Sequence, residues 1–201
     1  MPASNKSVRF GDPRVFFEST ITKPFVGPLG IKHDAGAIVR GSALFYLYYE
    51  TMLQTVNTYT LPFLSGAVIK KTVTDSPGHP GPYKGAVDFA VEPGTDVSAP
   101  LDGEIITVVD THSKYGANSK FSPYANYIQI KHAHGETTDL MHLAKSSALV
   151  KVGDHVKTAQ PLAKTGLSGY MTAPHLHWFV FHKTDSRHGF EGLDIRLNSV
   201  K

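Results

Sequence analysis

His175 and His177 bracket Leu176 and run straight into Trp178-Phe179-Val180-Phe181. The aromatic and β-branched continuation favours a strand, and alternate side chains of a strand share a face. Both imidazoles then point one way while Leu176 points the other, into a core. Two imidazoles on one face can hold one metal ion, or one can ligate while the other moves protons on a substrate. The chain has no cysteine, so thiolate sites and disulfides are excluded and any metal must be held by histidines and carboxylates. A second pair, His132-Ala133-His134, sits at a strand end running into a turn at Gly135 and reads as structural.

The elements around these residues are legible mainly as strands. The 201 residues are 41% hydrophobic and 18% charged, with 18 glycines and 13 prolines, a composition that suits a turn-rich β fold better than a helix bundle. Short alternating runs at residues 87–91, 103–109, 126–132, 137–143, 162–165 and 175–181 are separated by turn signals. They predict a mainly β architecture, an antiparallel sheet or sandwich carrying a groove. Residues 110–124 are polar and read as a long surface loop that could shape access to a site. Residues 1–60 form an N-terminal extension or accessory region whose run at 43–49 fits a strand or a buried helix equally. Residues 61–201 form the main domain. Residues 43–64 are broken by Glu50, Gln54, Asn57 and Pro62 and do not read as a membrane span. Residues 1–9 lack the apolar centre of a signal peptide. The net charge of +3 suits an anionic partner such as a cell wall or serves solubility alone. Without a dense Lys/Arg run, nucleic acid is not expected.

Several blocks, in order, resemble the lysostaphin/LytM-type family of zinc metallopeptidases. They are Val87-Asp88-Phe89-Ala90, Gly94-Thr95-Asp96-Val97, Asp102-Gly103-Glu104-Ile105, Asn126-Tyr127-Ile128-Gln129-Ile130 with His132, Met141-His142-Leu143, the spaced Val150, Gly153, Val156 and Gln160, and Thr172-Ala173-Pro174-His175-Leu176-His177-Trp178. The resemblance implies an antiparallel β domain with a groove that cleaves peptide links of bacterial peptidoglycan. It also implies Zn²⁺ ligands at Asp88 and His177, and catalytic histidines at His142 and His175. A monomer acting in the periplasm or outside the cell at the wall is expected. Ala159 and Ala173 stand where the family has glycines at turns.

One position departs from the common pattern. The usual third ligand is a histidine four residues before the aspartate, and Lys84 stands there. On an extended strand Lys84 would share a face with Asp88, pair with it and leave a dead site. The alternative function is therefore an inactive module that binds cell wall or activates another hydrolase. The better ligand candidate is His79, in Gly78-His79-Pro80-Gly81-Pro82-Tyr83, a segment similar to a branch of the same family with its first histidine further upstream. A Gly/Pro-rich loop can fold back to present the imidazole. The expected set is thus His79, Asp88 and His177 around Zn²⁺, with His142 and His175 beside it. A phosphotransfer β-sandwich would also present two close histidines, but with no metal and no Asp88. His33, His112, His155, His182 and His188 read as surface or structural residues, with His112 placed to border a groove. Tyr83 and Tyr170 flank the site, and Asn126 and Tyr127 read as packing residues.

Overall fold

The run after His175 forms a strand over Leu176–Lys183, and its alternation decides where the site sits. Leu176, Trp178 and Val180 enter the hydrophobic core, so His177 and Phe179 are left to the opposite face. In this computed structural model the chain is described over residues 54–74, 76, 79 and 81–198, and over four strands nearer the N-terminus. These are β1 (Phe16–Thr20), β2 (Phe25–Val26), β3 (Lys32–His33) and β4 (Ile38–Ser42). The chain divides into two units, Met1–Met52 and Leu53–Lys201. In the first, β1 pairs antiparallel with β4 and β2 with β3. The run at 43–49 lies outside the described residues.

The second unit contains β5 (Lys71–Val73), β6 (Val87–Ala90), β7 (Asp96–Ser98), β8 (Gly103–Val109), β9 (Tyr115–Gly116) and β10 (Tyr127–Lys131). It continues with β11 (Glu136–Met141), β12 (His155–Val156), β13 (Pro161–Lys164), β14 (Gly169–Tyr170), β15 (Leu176–Lys183) and β16 (Phe190–Gly192). Eight of these strands make one sheet in the order β12-β8-β10-β11-β15-β6-β5, with β16 also on β15. All of its pairings are antiparallel, in keeping with the β architecture expected from the sequence. A smaller pair, β7 with β13, contributes Val97, Leu162 and Ala163 to the core that also holds Ile128, Leu140, Leu176 and Trp178. Burying these side chains is the main favourable term for the unit.

Residues 54–60, expected with the N-terminal part, belong to this second unit. Tyr59 is fully buried in its core, edge-on to Trp178 at 6.1 Å between ring centroids. Its hydroxyl donates to Glu136 Oε2 at 2.7 Å. Asn57 Nδ2 donates to the same oxygen at 2.7 Å, and the Val56 N–H donates to Glu136 Oε1. The buried carboxylate is thereby satisfied. Burial, reinforced by Glu136, pushes the Tyr59 hydroxyl pKa up.

Residues 110–124 are more ordered than a plain surface loop. They contain β9, which pairs in parallel with β14, and a 3-10 helix over Ser119–Tyr124. Asn118 caps that helix by accepting from the Lys120 N–H at 2.9 Å.

Candidate metal centre

Strand register assembles the centre. His177 lies directly opposite Asp88 of β6 on one side and Met141 of β11 on the other. His177 Nδ1 is 2.9 Å from Asp88 Oδ1. His79 arrives from outside the sheet, and its Nε2 lies 3.1 Å from the same Oδ1. One donor atom from each of His79, Asp88 and His177 lies within 4.8 Å of the others. Ligands about 2.0–2.2 Å from a tetrahedral zinc sit about 3.4 Å apart. The observed spacings and the N/O donor set fit that ion.

Two further imidazoles flank the cluster. His175, just before β15, places Nε2 3.7 Å from Asp88 Oδ1, and its Nδ1–H donates to Ala173 O at 2.8 Å. His142, just after β11, donates from Nδ1 to Ser168 O at 2.7 Å. The two rings are 4.5 Å apart between centroids. A carbonyl oxygen can only accept, so each ring carries its hydrogen on Nδ1 and keeps the Nε2 lone pair when neutral.

Burial and charge set the ionisation. Burial alone would push the Asp88 carboxyl up, but hydrogen bonds from His177 and His79 outweigh it and hold Asp88 well below the usual carboxylate range. Burial likewise opposes charge on His79, and its bond to Asp88 outweighs this, leaving its pKa raised. Burial pushes the His142 imidazolium down to about 3, helped by repulsion from His175. Burial lowers His177 as well. The cluster thus joins an ionised carboxylate to a His177 imidazole that burial keeps neutral, the protonation states that metal ligation requires of these two groups.

Lys84 is not placed as an extended strand would place it. β6 begins only at Val87; residues Gly81–Tyr83 form a 3-10 turn, and Gly85 follows with φ of 89°. An added Cβ at Gly85 would stand 2.6 Å from Leu193 O, so close backbone contact makes the chain turn here. Lys84 is exposed, and among the described residues the ion partners of Asp88 are His79, His175 and His177.

Among the described residues of the second unit, the other histidines are not part of the cluster. His132 is buried between Asp102 O and Thr138 Oγ1, at 2.8 Å from each. His155 and His188 are exposed. His182 lies 3.9 Å from Glu191. His33 falls in β3, where side chains are not described. The His112 ring packs on Tyr124 at 5.6 Å.

A cavity of about 450 Å³ opens over the centre, walled by Tyr83, Ser122, Met141, Tyr170 and Thr172. Residues 110–124 therefore do border it, through Ser122. Tyr83 and Tyr170 line it while remaining 42% and 43% exposed. Asn126 and Ser168 were not singled out as site residues by sequence. Both are fully buried and bonded to the backbone around His142. The one available signal was a polar residue opening an apolar strand.

A family model described as "Peptidase family M23" matches residues 82–188, which is just over half of the chain and leaves His79 outside the matched part. An uncharacterized metalloprotease of Buchnera aphidicola subsp. Baizongia pistaciae is 41% identical over 104 residues, 51% of this chain and 24% of that protein. The peptidoglycan DD-endopeptidase ShyB of Vibrio cholerae is 40% identical over 100 residues, 49% of this chain and 20% of that protein. The chain thus matches about a quarter or less of these relatives' lengths. A crystal structure of a zinc containing peptidase from Vibrio cholerae aligns with a TM-score of 0.45 and 27% identity, covering 78% of this chain and 42% of that one.

Proposed function

The chain belongs to peptidase family M23, and from that premise we propose that it is a zinc-dependent endopeptidase acting on the peptide part of bacterial peptidoglycan. The observation that carries the reading is the convergence of His79 Nε2 and His177 Nδ1 on one oxygen of Asp88, with two more imidazoles alongside. His79, Asp88 and His177 would hold the ion. When bound, zinc polarises the scissile carbonyl and lowers the pKa of water.

The chain's own groups supply the rest. His142, neutral at physiological pH because burial holds its pKa near 3, offers Nε2 to take the proton of the attacking water. His175, whose Nε2 lies 3.7 Å from Asp88 Oδ1, flanks the centre where the oxyanion of the substrate would develop. Oriented donors favour the oxyanion over the ground-state carbonyl. The cavity over the centre, lined by Tyr83 and Tyr170, would receive the substrate peptide. This substrate places the enzyme's action at the cell wall, outside the cytoplasm. Among the described residues no helix is long and apolar enough to cross a membrane.

The test pairs elemental analysis of the purified protein with digestion of purified peptidoglycan. Stoichiometric zinc and release of new amino termini are expected. Protein without zinc that still binds the wall would instead be a non-catalytic module. His79→Ala is expected to lose the zinc, and retention of zinc at full affinity would overturn the ligand assignment even if cleavage persisted.

A further inference from the structure

His142 has a φ of 66°, a left-handed backbone that non-glycine residues seldom adopt. Such a conformation persists only where the surroundings over-determine it, and here they do. The His142 carbonyl accepts from the Gly166 N–H at 2.8 Å, and the Leu143 N–H donates to Asn126 O at 3.2 Å. The Leu143 carbonyl accepts twice, from Asn126 Nδ2 at 3.1 Å and Ser168 Oγ at 2.9 Å. The His142 ring is held through Nδ1–H by Ser168 O at 2.7 Å.

Asn126 is the centre of this arrangement. It is fully buried, and its side chain is spent on backbone. Oδ1 accepts from the His112 N–H at 2.9 Å, and Nδ2 donates to His112 O at 2.8 Å as well as to Leu143 O. Its own N–H donates to Ser168 Oγ at 3.0 Å. The Asn126 side chain thus ties the segment of His112 to the Leu143 carbonyl, and its backbone N–H reaches Ser168, whose carbonyl holds the His142 ring. The seam continues through the Gly169 N–H to Lys114 O at 2.9 Å and the Met171 N–H to Gly116 O at 3.1 Å. The cavity wall carrying Tyr170 is therefore registered on the same bonds. A buried asparagine serving only packing could satisfy its amide on any nearby backbone. These bonds instead end on Leu143, the residue after His142, and on His112, in the stretch that borders the cavity through Ser122.

The geometry points to Asn126 and Ser168 as positioning residues. They hold His142 in one tautomer with Nε2 turned toward the metal centre, and they register the cavity wall against it. This rests on the peptidase reading above, in which His142 transfers the proton. Removing the Ser168 hydroxyl leaves its carbonyl in the chain but unpins it from Leu143 and Asn126. Asn126→Asp keeps the shape of the side chain and replaces two N–H donors by an acceptor facing the His112 and Leu143 carbonyls.

The experiment uses Ser168→Ala and Asn126→Asp in the full chain, as purified. Long-range ¹⁵N–¹H correlation of the imidazoles reads the tautomer, zinc content is measured on the same samples, and kcat and KM are measured on peptidoglycan peptides. The wild-type protein is expected to show His142 as a single Nδ1–H tautomer. The variants are expected to show a tautomer mixture and unchanged zinc, with kcat down by about tenfold or more and KM within about twofold. A single Nδ1–H tautomer with kcat near wild type in Ser168→Ala overturns the proposal. Loss of cooperative unfolding in that variant overturns it too, since the pair would then serve stability alone. If the wild-type protein holds no zinc and cleaves nothing, the peptidase reading fails, while the tautomer measurement still decides whether this pair orients His142.

Discussion

Asp139 shows how far a single residue's chemistry depends on what packs around it. It lies on β11 opposite Phe179 and Gln129, on the sheet face that carries Met141 and the metal centre. Gln129 Nε2 donates to Oδ2 at 3.2 Å, and Oδ1 is buried without a hydrogen-bond partner among the described residues. Burial pushes the carboxyl up to about 7. The folded chain therefore holds this proton more tightly than the unfolded chain does. The corresponding stability is fully present below about pH 4 and is lost as pH rises through 7. Asp139→Asn should remove that loss and leave the variant more stable than wild type at pH 8 by up to about 4 kcal/mol. Urea unfolding of both proteins at pH 5 and pH 8 checks this; a wild-type-to-variant difference that does not change with pH would contradict it. Nothing in the sequence marks Asp139, because its burial is made by neighbouring strands. His175 and His177 were legible, since two-residue spacing before an aromatic strand is a local pattern.

At the scale of elements, two small residues carry opposite predictions. Ala159 has φ of 65° in the turn leading to β13, where the family resemblance had suggested glycine. Ala159→Gly should relieve the left-handed strain and stabilise by about 0.5–1 kcal/mol after the added chain entropy of glycine. Gly166 lies between β13 and β14, and an added Cβ would meet the Ala144 Cα at 2.4 Å. Its N–H also supports the His142 carbonyl. Gly166→Ala should therefore cost about 2 kcal/mol or more. Calorimetry would register these as a rise of about 1–4 °C for the first and a fall of about 4 °C or more for the second. The strands β6, β8, β10, β11, β13 and β15 were readable from alternation, to within two residues at their ends, whereas the short β5, β7, β9, β12, β14 and β16 were not. The turn at Lys84 was not, because tight contact of Gly85 with Leu193 bends the chain before β6 begins. The 3-10 helix over Ser119–Tyr124 was not either, with Pro123 inside a polar stretch.

At the scale of the molecule, the proposed zinc would link a segment outside the sheet to two strands inside it. His79 is nine positions from Asp88, while Asp88 and His177 are 89 apart in sequence. An ion bound only by the folded chain stabilises it by about 2.7 kcal/mol at a hundredfold excess over Kd. Chelation should therefore lower Tm by about 5–10 °C, with zinc restoring it, and His79→Ala should abolish the response. An unchanged Tm after verified metal removal would argue against a structural contribution from the ion. The sequence by itself determined the antiparallel β class, the shared face of His175 and His177, and the candidacy of His79 and Asp88. Those follow from short-range alternation, residue chemistry and the order of motifs. Only the tertiary structure decided that His79 returns to Asp88 while Lys84 turns away. It alone revealed that Asn126 and Ser168 meet at the Leu143 carbonyl beside His142 and that Asp139 is buried. Each of these depends on contacts between segments distant in the chain, where register, backbone approach and exclusion of water act together.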